Sequence, residues 1–357
     1  MIERRLERLR ALLEEKGLDA VLVNKIVHLH YFSGFRGDDS VLIITRNKAL
    51  LVTDSRYTEQ AAKQAPLFEV VKQEKGLWNK AAECLKSLAC HKVGFEGNAL
   101  LYDDYARLSK LMEGMEFQTA LNLDSLRQIK DAEEISCIRK ACEIADRAFE
   151  DVLKFLRPGI SELEVAAYME NCMRQLGSEE PSFKTIVASG ERGSLPHGIA
   201  TEKLIVAGEF VTMDYGAVYR GYHSDITRTV CAGQADDRQR TVYHEVLKAQ
   251  LLALEAIRPG ASGKEVDLIA RGSLNKAGLL QYFGHGLGHS LGLEIHEEPR
   301  LSPRSKCEHL VAGMLVTDEP GVYIPGWGGL RIEDTVLVAE DGGEPLTKSS
   351  KKLIELV

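Results

Sequence analysis

The apolar positions of this chain follow two different patterns. Up to about residue 125, short apolar runs alternate with stretches whose apolar residues recur every three or four positions. The runs DAVLVN, FEVVKQ, KVGFEG and EFQTA read as strands, and SVLIITRNKALLVTD reads as two strands joined by a polar Arg46-Asn47-Lys48 turn. MIERRLERLRALLEEKG, LWNKAAECLKSL and LYDDYARLSKLMEG carry helical spacing instead. This alternation predicts a compact α/β domain over residues 1–125. The polar stretch NLDSLRQIKDAEE then leads into a second domain over residues 126–357. A length of 357 residues suits two domains.

The second region repeats itself. The pattern R-P-G-x-S-x-x-E-V begins at Arg157 and returns at Arg258. Each copy carries a helix-starting capping box, Ser161-x-x-Glu164 and Ser262-x-x-Glu265. Each following helix is expected to stop near a glycine, Gly177 and Gly278, and each copy follows a long amphipathic helix, roughly 132–156 and 239–257. Further on, VAGEFVTMDYGAVY (206–219) is echoed by VAGMLVTDEPGVY (311–323). The expected architecture is a duplicated unit of two helices plus antiparallel strands, related by a pseudo-twofold axis.

The repeat also duplicates acids. Asp214 aligns with Glu319, and Asp225-x-Thr227 on the first return strand matches Glu333-x-Thr335 on the second. A lone acid in a strand is ordinarily a solvated face residue. Four at repeat-equivalent positions, two of them among apolar residues, are not explained that way. A pseudo-twofold would gather all four, and unpaired they would repel and take up protons. Two divalent cations would hold them as anions. Between the hairpins lies FGHGLGHSLGLEIHEEP, which places His285, His289 and His296 among four glycines, although the chain has only ten histidines. Glycine allows close backbone approach, and imidazole is the commonest metal ligand. His28 and His30, in VHLHYFSGF, read as structural.

Composition narrows the class. A net charge of −8 without a basic stripe argues against nucleic acid and anionic membrane as partners. No run reaches the roughly 20 apolar residues of a membrane span, and the N-terminal helix has no signal-peptide core. The seven scattered cysteines form no CxxC pair and suit a reducing, cytoplasmic setting. IHEEPR is not an HExxH helix, PGASGKE lacks the first glycine and the Ser/Thr of a P-loop, and no serine sits in GxSxG.

These landmarks resemble the pita-bread metallopeptidases, in particular the Xaa-Pro aminopeptidase and prolidase branch. YFSGFRGDDSVLIITRNKALLVTDSRYTEQA is similar to that branch's creatinase-like N-terminal domain. SGERGSLPHG, MDYGAVYRGYHSDITRT, GHGLGHSLGLEIHEEP and TDEPGVYIPGWGGLRIED follow in the family's order. The resemblance implies five metal ligands, Asp214, Asp225, His289, Glu319 and Glu333, and substrate-shell roles for His197, His285 and His296. It also implies cytosolic homodimers using manganese or cobalt, with zinc and iron remaining open. Asp318 departs from the apolar residue the family often places before its ligand glutamate.

On this reading, two ions about 3.5–4 Å apart share one water and make it hydroxide-like near neutral pH. Glu319 manages its proton, His296 meets the oxyanion, His285 steadies the substrate, and His197 approaches from the other side. The substrates are Xaa-Pro dipeptides or peptides with proline second. A terminal carboxylate would take an arginine, Arg300 or Arg331, although neighbouring carboxylates hold Arg331 equally well. The alternatives are a non-catalytic binding protein or a metal-free, creatinase-like amidinohydrolase on the same fold.

Overall fold

The computed structural model describes residues 1–118 and 121–356. Within them the chain separates into two compact units, Met1–Arg127 and Gln128–Val357.

The first unit is built on one six-stranded mixed sheet. Its strands are β1 (Ala20–Val23), β2 (Val41–Thr45), β3 (Ala49–Thr53), β4 (Glu69–Lys72), β5 (Lys92–Phe95) and β6 (Glu116–Gln118). They lie in the order β4-β3-β2-β1-β5-β6. β2 is antiparallel to both β1 and β3, and the other neighbours are parallel. The expected strand over 116–120 forms at Glu116–Gln118, and Thr119 and Ala120 lie outside the described residues. Helices α1 (Ile2–Glu15), α2 (Ile26–Ser33), α3 (Thr58–Gln64), α4 (Leu77–Ser87) and α5 (Tyr102–Leu111) complete the unit. The α/β pattern stands, but α2 was not legible: five of its eight residues are buried, so it has no polar stripe to mark a helical period. His28, on α2, sits with Nδ1 on Glu96 and Nε2 3.2 Å from Asp124. Burial opposes its charge, yet hydrogen bonds to Asp124 and Glu96 outweigh that and raise its pKa. His28 therefore ties α2 to two acids whose hydrogen bonds favour its charged form.

The second unit shows the duplication in three dimensions. The first copy contains α6 (Ala132–Phe155), α7 (Glu162–Gln175), β7 (Ile186–Ser189), β8 (Glu209–Tyr215), the two-residue strands β9 (Val218–Tyr219) and β10 (Tyr222–His223), and β11 (Ile226–Ala232). The second contains α8 (Asp237–Ala256), α9 (Gly263–Lys276), β12 (Gly288–Ser290), β13 (Glu297–Leu301), β14 (Leu315–Asp318), β15 (Gly321–Ile324), β16 (Gly328–Arg331), β17 (Asp334–Ala339) and β18 (Gly342–Pro345). Both expected capping boxes form, at Ser161 and Ser262. Asp131 and Asp236 build two more on the preceding helices, each cap worth about 1 kcal/mol. Gly177 and Gly278 follow their helices at φ 103° and 70°, a conformation that favours glycine.

Each copy closes its own apolar core. Ile144, Phe149, Val165 and Met169 pack with Val211, Met213 and Val230 in the first copy, and Val246, Ala253, Val266 and Leu274 pack with Val316, Val336 and Val338 in the second. The copies differ in how the third strand attaches: the sheets run β11-β8-β7 and β14-β17-β18. Their hairpin registers also differ. Thr212 pairs with Thr229, whereas its counterpart Thr317 pairs with Thr335.

Candidate metal centre

The two return strands meet edge to edge, and this junction creates the site. Glu333 N donates to Thr227 O at 3.1 Å, and Asp225 N donates to Thr335 Oγ1 at 3.3 Å. Thr335 Oγ1 donates back to Asp225 O at 2.8 Å, while Thr227 Oγ1 donates to Glu333 Oε2 at 2.6 Å. The threonines expected at equivalent positions thus hold one another's acidic neighbours across the junction. Their role was not read from the sequence, although their repetition was visible there.

The glycine-rich segment supplies the imidazole. Glu319 N donates to Leu287 O at 2.9 Å, and His289 N donates to Thr317 Oγ1 at 3.1 Å, so this segment runs alongside β14. A Cβ on Gly288 would lie 1.9 Å from Thr317 O, which only the absence of a side chain permits. Gly288→Ala is accordingly expected to cost about 3 kcal/mol by overpacking against backbone. Thermal unfolding together with metal titration checks this, and an unshifted melting curve would contradict the packing.

Asp225, His289 and Glu333 each offer a ligand atom, and these atoms lie within 4.8 Å of one another. His289 Nδ1 faces Ser290 O at 3.1 Å, which directs Nε2 towards the acids. That nitrogen is 3.5 Å from Asp225 Oδ2 and 3.5 Å from Glu319 Oε1. Thr317 Oγ1 donates to Glu319 Oε1 at 3.0 Å. Asp214 lines the same cavity, but its Oδ2 accepts from Arg331 at 2.5 Å, and its buried Oδ1 has no hydrogen-bond partner among the described residues.

The electrostatics are those of a crowded acid cluster. Burial, then Glu333 and Asp214, push Asp225 well above the carboxylate range. Burial, then Glu319 and Asp214, do the same to Glu333. Burial raises Glu319 to about 7, and it lowers His289 to about 3, so that imidazole stays neutral and ready to ligate. An orphaned carboxylate oxygen, three further acids and a neutral imidazole form a hard donor set that fits divalent cations.

All ten candidate residues line one cavity of about 730 Å³. His197 and His296 are exposed within it, and the His296 ring packs edge-on against His289 at 4.4 Å. His285 is differently placed: Nδ1 bonds Gly286 O at 2.7 Å, and Nε2 accepts from Tyr323 OH at 2.9 Å. Burial, then Arg331, lower it to about 4. Tyr323 was missed in the sequence, its only signal being its position four residues beyond Glu319 in the repeated strand.

The two arginines separate clearly. Arg331 donates to Asp214 and to Tyr323 OH at 2.7 Å, to Thr227 Oγ1 at 2.9 Å and to Pro196 O at 3.4 Å. It is 4% exposed, so the geometry favours its alternative reading as a partner of the acids over substrate binding. Arg300 keeps 45% of its side chain exposed, with Glu298 3.8 Å away. Asp318 faces away from the cavity. It is fully buried and accepts from Gln250 at 3.0 Å, and burial followed by Asp334 raises its pKa well above the usual value.

Residues 136–340 match the metallopeptidase family M24, and residues 5–129 match the creatinase/prolidase N-terminal domain. The chain belongs to metallopeptidase family M24. It is a metallopeptidase, and the family implies divalent metal ions. This M24 peptidase is 41% identical to an Xaa-Pro dipeptidase of Pyrococcus furiosus, over 99% of its own length and 100% of that protein. It is similar to the structure of an Xaa-Pro dipeptidase from Bacillus anthracis, with a TM-score of 0.96, 44% identity and 99% of each chain covered. It is also similar to an X-Pro aminopeptidase from Thermotoga maritima MSB8, with a TM-score of 0.92, 37% identity, and 98% and 99% covered. Among the described residues no helix is long and apolar enough to cross a membrane, and all seven cysteines are free thiols.

Proposed function

We propose that this M24 peptidase hydrolyses the Xaa-Pro bond of dipeptides and of short peptide N-termini, using two divalent ions held by Asp214, Asp225, His289, Glu319 and Glu333. Manganese is the first choice and cobalt the second, since the set is rich in hard oxygen donors. The observation that carries this reading is the convergence of Asp225, His289 and Glu333 within 4.8 Å at one cavity. When bound, such ions supply Lewis-acid polarisation of the carbonyl and an acidified water.

The chain's own groups supply the rest. Glu319, held by Thr317, accepts the proton released during attack and delivers it to the prolyl nitrogen. His296, which makes no hydrogen bond to a described residue, donates to the developing oxyanion. His197 faces the cavity from the first copy and contacts the substrate there. Both ring nitrogens of His285 are engaged, so it positions Tyr323 beside the substrate. Arg300 takes the terminal carboxylate. An Xaa-Pro bond has no amide N–H, so a cavity that polarises the carbonyl suits it better than strand pairing. Free thiols suit a cytoplasmic location, and a homodimer is the expected assembly.

A 730 Å³ cavity with an arginine at its rim favours dipeptides. Cleavage of Ala-Pro is therefore expected to exceed that of Ala-Pro-Ala-Ala. Efficient hydrolysis of the tetrapeptide alone would reassign the enzyme as an aminopeptidase acting on longer chains.

A further inference from the structure

Besides Arg331, which is committed to Asp214, two cations reach the cavity, and they come from opposite copies. Arg300 lies on β13, where it pairs in register with His289. On β13, Glu297, Pro299 and Leu301 are buried while Glu298 and Arg300 are exposed, so Arg300 stands on the open face of its strand. Lys184 enters from the first copy. It precedes by two residues Ile186, the first residue of β7, which pairs in register with Asp214. Lys184 and Ile186 flank the buried Thr185, and both line the cavity. Phe183, Ile199 and Ile295 are apolar residues of the same lining. Lys184 is exposed and makes no ion pair with any described carboxylate.

A dipeptide ending in proline has one terminal carboxylate, and one cation satisfies it. With Arg300 taken up by the terminal carboxylate, the first residue of the substrate is left to extend towards the β7 wall that carries Lys184. The backbone there brings Lys184 about 7 Å along the strand from the residue paired with Asp214, within reach of a side chain two or three methylenes long. Phe183, Ile186 and Ile199 would cover those methylenes. An ammonium is a point charge with rotatable donors, so it accepts carboxylates of differing length and rejects cations.

We propose that Lys184 is a specificity-determining residue that selects substrates with an acidic first residue, glutamate above all, and disfavours lysine and arginine at that position. The proposal rests on the Xaa-Pro reading given above. The physical basis is a single charge pair at an exposed rim, which discriminates about two- to fivefold against a neutral isostere and weakens with salt.

The test uses the full chain loaded with manganese and compares kcat/KM for Glu-Pro with its neutral isostere Gln-Pro. Wild type is expected to prefer Glu-Pro about two- to fivefold at low ionic strength, and 0.5 M salt is expected to erode that preference. Lys184→Gln should bring the ratio close to one, and Lys184→Glu should shift preference towards Lys-Pro. A Glu-Pro to Gln-Pro ratio unchanged by Lys184→Gln would overturn the proposal. So would an equal loss on every dipeptide, because it would place Lys184 on the terminal carboxylate common to all of them. A wild type that cleaves no Xaa-Pro dipeptide removes the Xaa-Pro reading itself, and the proposal with it. That result differs from an enzyme active on dipeptides but blind to the charge of the first residue.

Discussion

Asp225→Ala and Glu333→Ala are each expected to lose at least one bound metal ion and to lower kcat/KM by roughly a thousandfold or more. Both carboxylates are buried and both face His289; Thr227 donates to the Glu333 carboxylate across the junction of the return strands, and Thr335 holds the Asp225 backbone. Removing either deletes a ligand and leaves its neighbours too few to hold an ion. The same change should leave the metal-free protein no less stable, since, besides burial, Glu333 raises the pKa of Asp225, while Glu319 and Asp214 raise that of Glu333. Relief of that repulsion offsets the lost side-chain contacts. His296→Ala should behave differently, keeping its metal while losing turnover, because the ring lies beside His289 and binds none of the acids. Metal content by mass spectrometry after dialysis, read beside melting temperatures with and without metal, checks all three variants. Unchanged stoichiometry in Asp225→Ala would show that the ligands have been misassigned.

Stripping the metal should make stability and affinity depend on pH in opposite senses. Glu319 is a group whose folded pKa is raised, from a reference of 4.5 to about 7, mainly by burial. Between those values the folded state binds the extra proton, so its contribution is complete below about 4.5 and is lost as pH rises through about 7. Asp225 and Glu333 shift the same way and extend the loss to higher pH. The metal-free protein should therefore melt at a lower temperature at pH 8 than at pH 6.

Divalent metal reverses this. Ligation needs deprotonated acids, so binding releases protons and tightens with pH. Glu319 alone, titrating near 7, tightens manganese binding by roughly tenfold from pH 6 to pH 8, and the other acids add to this. His289, neutral above about 3, contributes nothing to the change. The stability gap between loaded and metal-free protein, worth about 2.7 kcal/mol at 100 times the dissociation constant, should consequently widen with pH, by about 1.4 kcal/mol for a tenfold tightening. Calorimetric titration at the two pH values measures both effects. A gap that narrows with pH would rule out a cluster of buried, proton-sharing acids.

Much of the fold was readable because its signals are local. Apolar runs of four to six residues between turn residues marked the strands of the first unit, and S-x-x-E boxes marked the starts of α7 and α9. Their repetition, with Asp214 and Glu319 at matching positions, pointed to a duplicated unit and a shared acid site. What stayed hidden depends on partners distant in sequence. The helix carrying His28 is buried on most of its surface and shows no amphipathic period. The pairing of β12 with β13 is broken by a register shift between His289 and Ser290, which leaves no alternating pattern to read.

The residues and their order thus determined that four acids and a histidine converge, since a duplicated hairpin and a glycine-rich strand admit few other arrangements. Only the tertiary structure decided which partners each side chain takes. It assigned Arg331 to Asp214 and Tyr323, left Arg300 exposed, turned Asp318 away from the cavity, and brought the unpaired Lys184 to its rim. The physical reason is that a charge's role is set by which opposite charges lie within a few ångströms and how much water surrounds it. Neither quantity is fixed until strands distant in sequence have met.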